Sequence, residues 1–185
     1  MSRLHYGAFA LMALEKMNQF RGMVVLTAAM VLIVASANYL VQFPVNDWLT
    51  WGALTYPVSY FITDLTNRFY GKARARRVVF VGFFLAVLLS IVLASPRIAL
   101  ASGSAFLVSQ LIDVMIFDRL RSRRWWQAPL LSSTLGSLVD TALFFALAFY
   151  GTDMPWVTLA IGDYAVKVAI AVMLLLPWWL LARRG

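Results

Sequence analysis

Apolar runs of about twenty residues, separated by short polar breaks, recur along the whole chain. A bilayer core is about 30 Å thick and takes about 20 apolar residues to cross as a helix. On that measure the pattern predicts six spanning helices, at residues 23–43, 51–69, 78–94, 97–120, 129–150 and 156–181. Pro44 and Pro96 fall where spans must stop, and Pro129 stands at a favoured first-turn position. Residues 1–22 behave differently. Their apolar stretch from Leu4 to Leu14 is short and runs into Glu15, Lys16 and Arg21. It is expected to be a cytoplasmic or interfacial amphipathic segment, followed by one transmembrane domain over 23–182. The expected fold is an all-α membrane protein, a six-transmembrane-helix bundle.

The cations give the bundle a direction. Arg3, Lys16 and Arg21 precede the first span, and Arg68, Lys72, Arg74, Arg76 and Arg77 follow the second. Arg119, Arg121, Arg123 and Arg124 follow the fourth, and Arg183 and Arg184 end the chain. The alternate loops hold only Arg97, while Lys167 falls inside a span. Cationic loops stay in the cytoplasm. The alternation therefore predicts both termini inside and an even number of crossings. Arg3 and Arg21, the first apolar run and Ala35-Ser36-Ala37 together imitate a secretory signal with its cleavage site. The run is long enough to span, and removing it breaks the charge alternation, so it is read as a retained helix.

Composition agrees. Of 185 residues, 62% are hydrophobic and only 13% charged, against roughly a quarter charged in a soluble domain. The net charge of +8 is a property of the cytoplasmic loops, and no nucleic acid is implied. With no cysteine and a single histidine, His5, no thiolate or paired-histidine metal site is available, and no metal or cofactor is expected. Ala101-Ser102-Gly103-Ser104 superficially resembles a membrane serine protease, but no histidine lies in the bundle to serve as base. An enzyme is therefore not expected. A channel or an assembly factor is the remaining rival, separable by saturable, competable uptake.

Polar residues stand where an apolar helix has no use for them. Asp64, Asp113, Asp140, Asp163 and Lys167 fall within the spans, with Asn38, Asn67, Ser109, Gln110 and Thr141. Each charge at mid-bilayer costs about 2.5–3.5 kcal/mol on insertion scales, so these groups must face one another or a wet cavity. Phe106, Ser109, Gln110 and Asp113 share one helical face; Ser133, Gly136, Ser137 and Asp140 share another; Asp163 and Lys167 are four apart and can pair. Only the third span has no such group and reads as lipid-facing scaffold. Small residues, Ala99, Ser102, Gly103 and Ala105 on the fourth span and Ser132 and Gly136 on the fifth, permit close helix contacts. Pro57 alone among the prolines lies deep inside a span and predicts a kink beside Tyr56, a device that frames substrates in transporters.

Four segments, SANYLVQFPV at 36–45, TWGALTYPVSYFITDLTNRFYG at 50–71, SQLIDVMIFDRLRSRRWWQAPLLSSTLGSLVDT at 109–141 and GDYAVKV at 162–168, resemble the bacterial queuosine precursor transporter family, a branch of the vitamin-uptake-transporter-like proteins. The resemblance implies import of 7-cyano-7-deazaguanine and related 7-deazaguanines across the bacterial inner membrane, or of another nucleobase-like or vitamin-like molecule by the same fold. It also implies a helix arrangement like that of the substrate-binding subunits of energy-coupling-factor transporters. Those subunits dock on their partner through Ala-x-x-x-Ala on the first helix. Here Ala28, Ala29, Ala35 and Ala37 are followed four later by Leu32, Ile33, Tyr39 and Val41, so no ATPase module is expected. A homo-oligomer is compatible with the fold.

A deazaguanine offers a flat ring, two donors on its guanine-like edge and a carbonyl acceptor. A carboxylate, Asp113 or Asp140, can take the donors. Asn38, Gln110 or Lys167 can serve the carbonyl, with Asp163 partnering Lys167, and Tyr56 and Tyr164 can stack on the ring. Asp64 and Asn67 are candidates for coupling or gating.

Overall fold

A computed structural model of the chain describes residues 2–93 and 95–182, with nearly all side chains from Lys16 on. Arg183, Arg184 and Ala94 lie outside the described residues. Seven helices and one small hairpin follow in order. They are α1 (Ser2–Leu40), β1 (Pro44–Asn46), β2 (Leu49–Thr50), α2 (Trp51–Thr55), α3 (Pro57–Tyr70), α4 (Lys72–Leu93), α5 (Pro96–Leu120), α6 (Gln127–Phe149) and α7 (Trp156–Ala182). Four stretches are long and apolar enough to cross a bilayer: Lys16–Leu40, Pro96–Leu120, Gln127–Phe149 and Trp156–Leu181.

Of the six predicted spans, the second and third are not among these four. The second is divided at Tyr56, between α2 and α3. Pro57 has no N–H to donate, so the turn is closed by Ser59 N donating to Tyr56 O at 2.9 Å. Tyr56 keeps helical dihedrals, φ −57° and ψ −39°, so Pro57 interrupts the hydrogen-bond ladder there while the chain continues its helical course. The third, α4, begins six residues before the predicted start, because Lys72, Arg74, Arg76 and Arg77 continue the helix on its polar side. Its exposed face carries Phe80, Val81, Phe84, Leu88, Ile91 and Val92.

The segment of residues 1–22 continues into the first predicted span without interruption. α1 is one helix of 39 residues, about 58 Å long at 1.5 Å per residue, and Gly22 does not interrupt it. Ala35, Ser36 and Ala37 lie within it, and Ala37 is buried. The hairpin is a correction to the all-α expectation. Asn46 makes it by accepting from Trp48 N at 2.9 Å through Oδ1, an Asx turn. Its tip rests on α7, where any side chain at position 162 collides with the Trp48 carbonyl, and Thr158 Oγ1 donates to Asp47 O at 3.3 Å.

α5 and α6 are the most closely associated pair. Ala99, Ser102, Ala105, Ser132, Ser133, Gly136 and Ser137 are all buried, as small residues at a close interface should be. Gly103 serves a different neighbour: a Cβ there meets Val87 and Phe83 of α4. Ser95 caps α5 by accepting from Ile98 N at 3.3 Å, with Pro96 in the first turn. Arg97 donates to the carbonyls of Leu147 at 3.0 Å and Tyr150 at 2.6 Å, closing the end of α6.

Candidate functional site

Every polar residue singled out within the spans, apart from Tyr164, is buried: Asn38, Tyr56, Asp64, Asn67, Gln110, Asp113, Asp140, Asp163 and Lys167. They form two centres with a rigid seam between them.

The first centre surrounds a small pocket lined by Asn38 from α1, Gly52 from α2, Tyr56 between α2 and α3, Ser102 from α5, Asp140 from α6 and Asp163 and Lys167 from α7. Lys167 is its hub. Nζ lies 2.6 Å from Asp163 Oδ2 one turn earlier and 2.9 Å from Asp140 Oδ2 across the helix interface. It also donates to Thr141 Oγ1 at 3.1 Å, and Thr141 donates to Asp163 Oδ2 at 2.7 Å. The other oxygen of Asp140 accepts from Tyr56 OH at 2.7 Å and Ser109 Oγ at 3.3 Å. Nζ stands 4.8 Å from the centre of the Tyr56 ring, a cation–π contact. On the opposite wall Ser102 Oγ donates to Asn38 Oδ1 at 2.5 Å. Two carboxylates thus share one ammonium, and when all three are ionised the centre carries one surplus negative charge. Asp140 is saturated by three donors. Asp163 spends Oδ2 alone.

The second centre is Asp64 and Asp113, with Ser132 Oγ donating to Asp64 Oδ1 at 3.1 Å and Ser133 Oγ to Oδ2 at 3.2 Å. Asp113 faces Asp64 and Ser132, yet neither of its oxygens has a donor in hydrogen-bonding geometry among the described residues. A side chain at Gly136 would meet Tyr60 and Asp113, which is why glycine sits where α6 crosses here. A second small pocket has Asp64, Tyr60, Ser133 and Lys167 among its lining. Lys167 therefore borders both cavities.

The seam is Gln110. Its Oε1 accepts from Thr63 Oγ1 at 2.6 Å and its Nε2 donates to Ser59 Oγ at 2.9 Å, so it fastens α5 to α3. Asn67 is similarly engaged: Nδ2 donates to Val114 O at 3.1 Å, and Arg121 donates to its carbonyl at 2.7 Å and to its Oδ1. Asp118 pairs with Lys72 at 3.2 Å and Arg121 at 3.6 Å.

Of the predicted site residues, the structure brings Asn38, Tyr56, Asp140, Asp163 and Lys167 to one cavity. It leaves Gln110 in the seam and Asp113 with Asp64. Tyr164 is half-buried and outside the lining. Ser102 and Thr141 were not predicted to belong to the site. Ser102 lies one turn before Phe106 on the Ser109–Asp113 face, so extending that face backwards finds it. Thr141 joins the site only because α7 packs beside Asp140, and no spacing within one helix signals that.

Comparison with known proteins places the chain. Residues 50–95 and 88–182 match a family described as "Putative vitamin uptake transporter". The chain is 37% identical over 177 residues to the "Queuosine precursor transporter" of Escherichia coli (strain K12), covering 80% of each chain. It is 36% identical over 188 residues to the "Probable queuosine precursor transporter" of Haemophilus influenzae, again over 80% of each. A "Probable queuosine precursor transporter" of Bacillus subtilis (strain 168) is 30% identical over 166 residues, 73% of this chain and 72% of that one. No solved structure gives a significant match. The apolar helices and these relatives make it a multi-pass membrane protein, and the chain belongs to the queuosine precursor transporter family.

Proposed function

We propose that this protein imports queuosine precursors, 7-cyano-7-deazaguanine and related 7-deazaguanines, across the bacterial inner membrane. It crosses six times, α2 with α3 forming the second span and α4 the third, with both termini and the loops around Lys72 and Arg123 in the cytoplasm. The clustering of Arg68, Arg121, Arg123 and Arg124 around one cleft supports that orientation. Residues 1–22 form its cytoplasmic or interfacial segment. Its helix arrangement is that of the substrate-binding subunits of energy-coupling-factor transporters. It works as a carrier, not an enzyme, without an ATPase module, and a homo-oligomer is compatible with that action.

The first cavity carries the reading. It sets the Tyr56 ring, a cation, two carboxylates and the Asn38 amide around one space, the groups that suit a flat ring with a donor edge and a carbonyl. Asp163 has Oδ1 free of donors among the described residues and takes the ligand's two donors. Asn38 and Lys167 serve the carbonyl, and Tyr56 supports the ring, contacts of the kind worth about 1–3 kcal/mol per stacked base. Asp140 orients Lys167 and Tyr56. Gln110 and Asp113 stand apart from the ligand, and Tyr164 is not required. Equilibrium binding of 7-cyano-7-deazaguanine to purified protein, with guanine and a vitamin panel as competitors, tests this. Displacement by deazaguanines alone supports it. Binding of a vitamin in their place favours uptake of another vitamin-like molecule, the reading that the wider family's description suggests.

A further inference from the structure

Asp64 and Asp113 are 1% and 0% exposed and face each other across the interface of α3 and α5, where α6 also packs. The groups around them are Tyr60 from α3, Ser132, Ser133, Ser137 and Asp140 from α6, and Lys167 from α7. Lys167 is committed to Asp140 and Asp163. Arg121, which reaches Asn67 one turn beyond Asp64, is engaged there and with Asp118. No cation neutralises the pair among the described residues. Two facing carboxylates in such a site do not both ionise. Asp64 has the two serine donors that stabilise an anion, whereas Asp113 has none.

We propose that the facing Asp64–Asp113 pair holds one exchangeable proton between its two carboxylates, and that this proton couples uptake to the proton gradient. Coupling rests on the transporter reading above; the proton itself does not. Asp64 of the pair and Lys167 of the substrate centre line the same small pocket, so the charge of the pair lies next to the hub. The chemistry is a transfer only: the proton binds the pair from one side of the membrane and leaves to the other, and the same pair is regenerated.

Infrared difference spectroscopy of the purified protein across a pH titration reads the proton directly. The wild type is expected to show a protonated-carboxyl band that titrates and is lost in Asp113→Asn and in Asp64→Asn. Absence of the band, or its persistence in both variants, overturns the proposal. In proteoliposomes, one proton per neutral substrate accumulates substrate about tenfold per pH unit. Asp113→Asn is expected to lose that accumulation and keep counterflow exchange, which also shows that it is folded. Accumulation driven by a sodium gradient and not by protons overturns the coupling. Wild-type protein that shows the band but no counterflow of 7-cyano-7-deazaguanine sinks the transporter reading and leaves the proton standing.

Discussion

The Tyr56 hydroxyl donates to Asp140 Oδ1 across 2.7 Å, tying the junction of α2 and α3 to the middle of α6. Pro57 interrupts the helical hydrogen-bond ladder directly after it, and the Tyr56 ring lies beside Lys167. Backbone geometry and site chemistry therefore meet at one residue. Tyr56→Phe keeps the ring and removes the bond. It is expected to weaken 7-cyano-7-deazaguanine binding about tenfold, some 1.4 kcal/mol, measured by equilibrium binding. Unchanged affinity would show that the hydroxyl does not organise the site.

The Asp163–Lys167 pair is expected to act on substrate as well as to neutralise itself. Lys167→Ala should reach the membrane and lose uptake. The decisive variant is Asp163→Asn with Lys167→Gln, which removes both charges while keeping shape. If the double variant regains the uptake that each single one loses, the pair is structural.

Topology is open to single-cysteine labelling, because the chain has no cysteine of its own. Cysteines at Asp47 and Asp153 should react with an impermeant reagent from outside, and those at Lys72 and Arg123 only from inside. Labelling of Asp47→Cys solely from inside would break the six-span account.

The hairpin offers a separate test. Gly162→Val places a side chain against the Trp48 carbonyl and must push the tip off α7. Uptake should fall while the protein remains in the membrane. Arg97→Ala, by contrast, removes only the bonds that close the end of α6. It should lower the Tm in detergent by about 2–4 °C, the shift for roughly 1 kcal/mol in a chain of this size, with transport retained. Loss of transport at unchanged Tm would place Arg97 in the path.

Legibility in the sequence followed the range of the interactions. The helices and the i, i+4 pairing of Asp163 with Lys167 were readable because apolar run length and local spacing decide them. So was the inward face of Ser109, Gln110 and Asp113. The division of that face was not. Gln110 is bound by Ser59 and Thr63, and Asp113 meets Asp64, partners some fifty residues away that only helix packing selects. The hairpin escaped because apolar pattern says little about a seven-residue loop, although Asn46 is a common turn former. The continuity of α1 through residues 1–22 was not legible for a related reason. Glu15, Lys16 and Arg21 interrupt an apolar run, but they do not interrupt a helix.

The central claim is that the cavity around Lys167 carries 7-deazaguanines, and counterflow tests it most directly. Purified protein in liposomes preloaded with unlabelled 7-cyano-7-deazaguanine should take up the labelled compound saturably. The uptake should be competed by related deazaguanines, and abolished or reduced at least tenfold by Asp163→Asn and Lys167→Ala. Uptake no greater than in empty liposomes, or uptake untouched by both substitutions, would contradict the account.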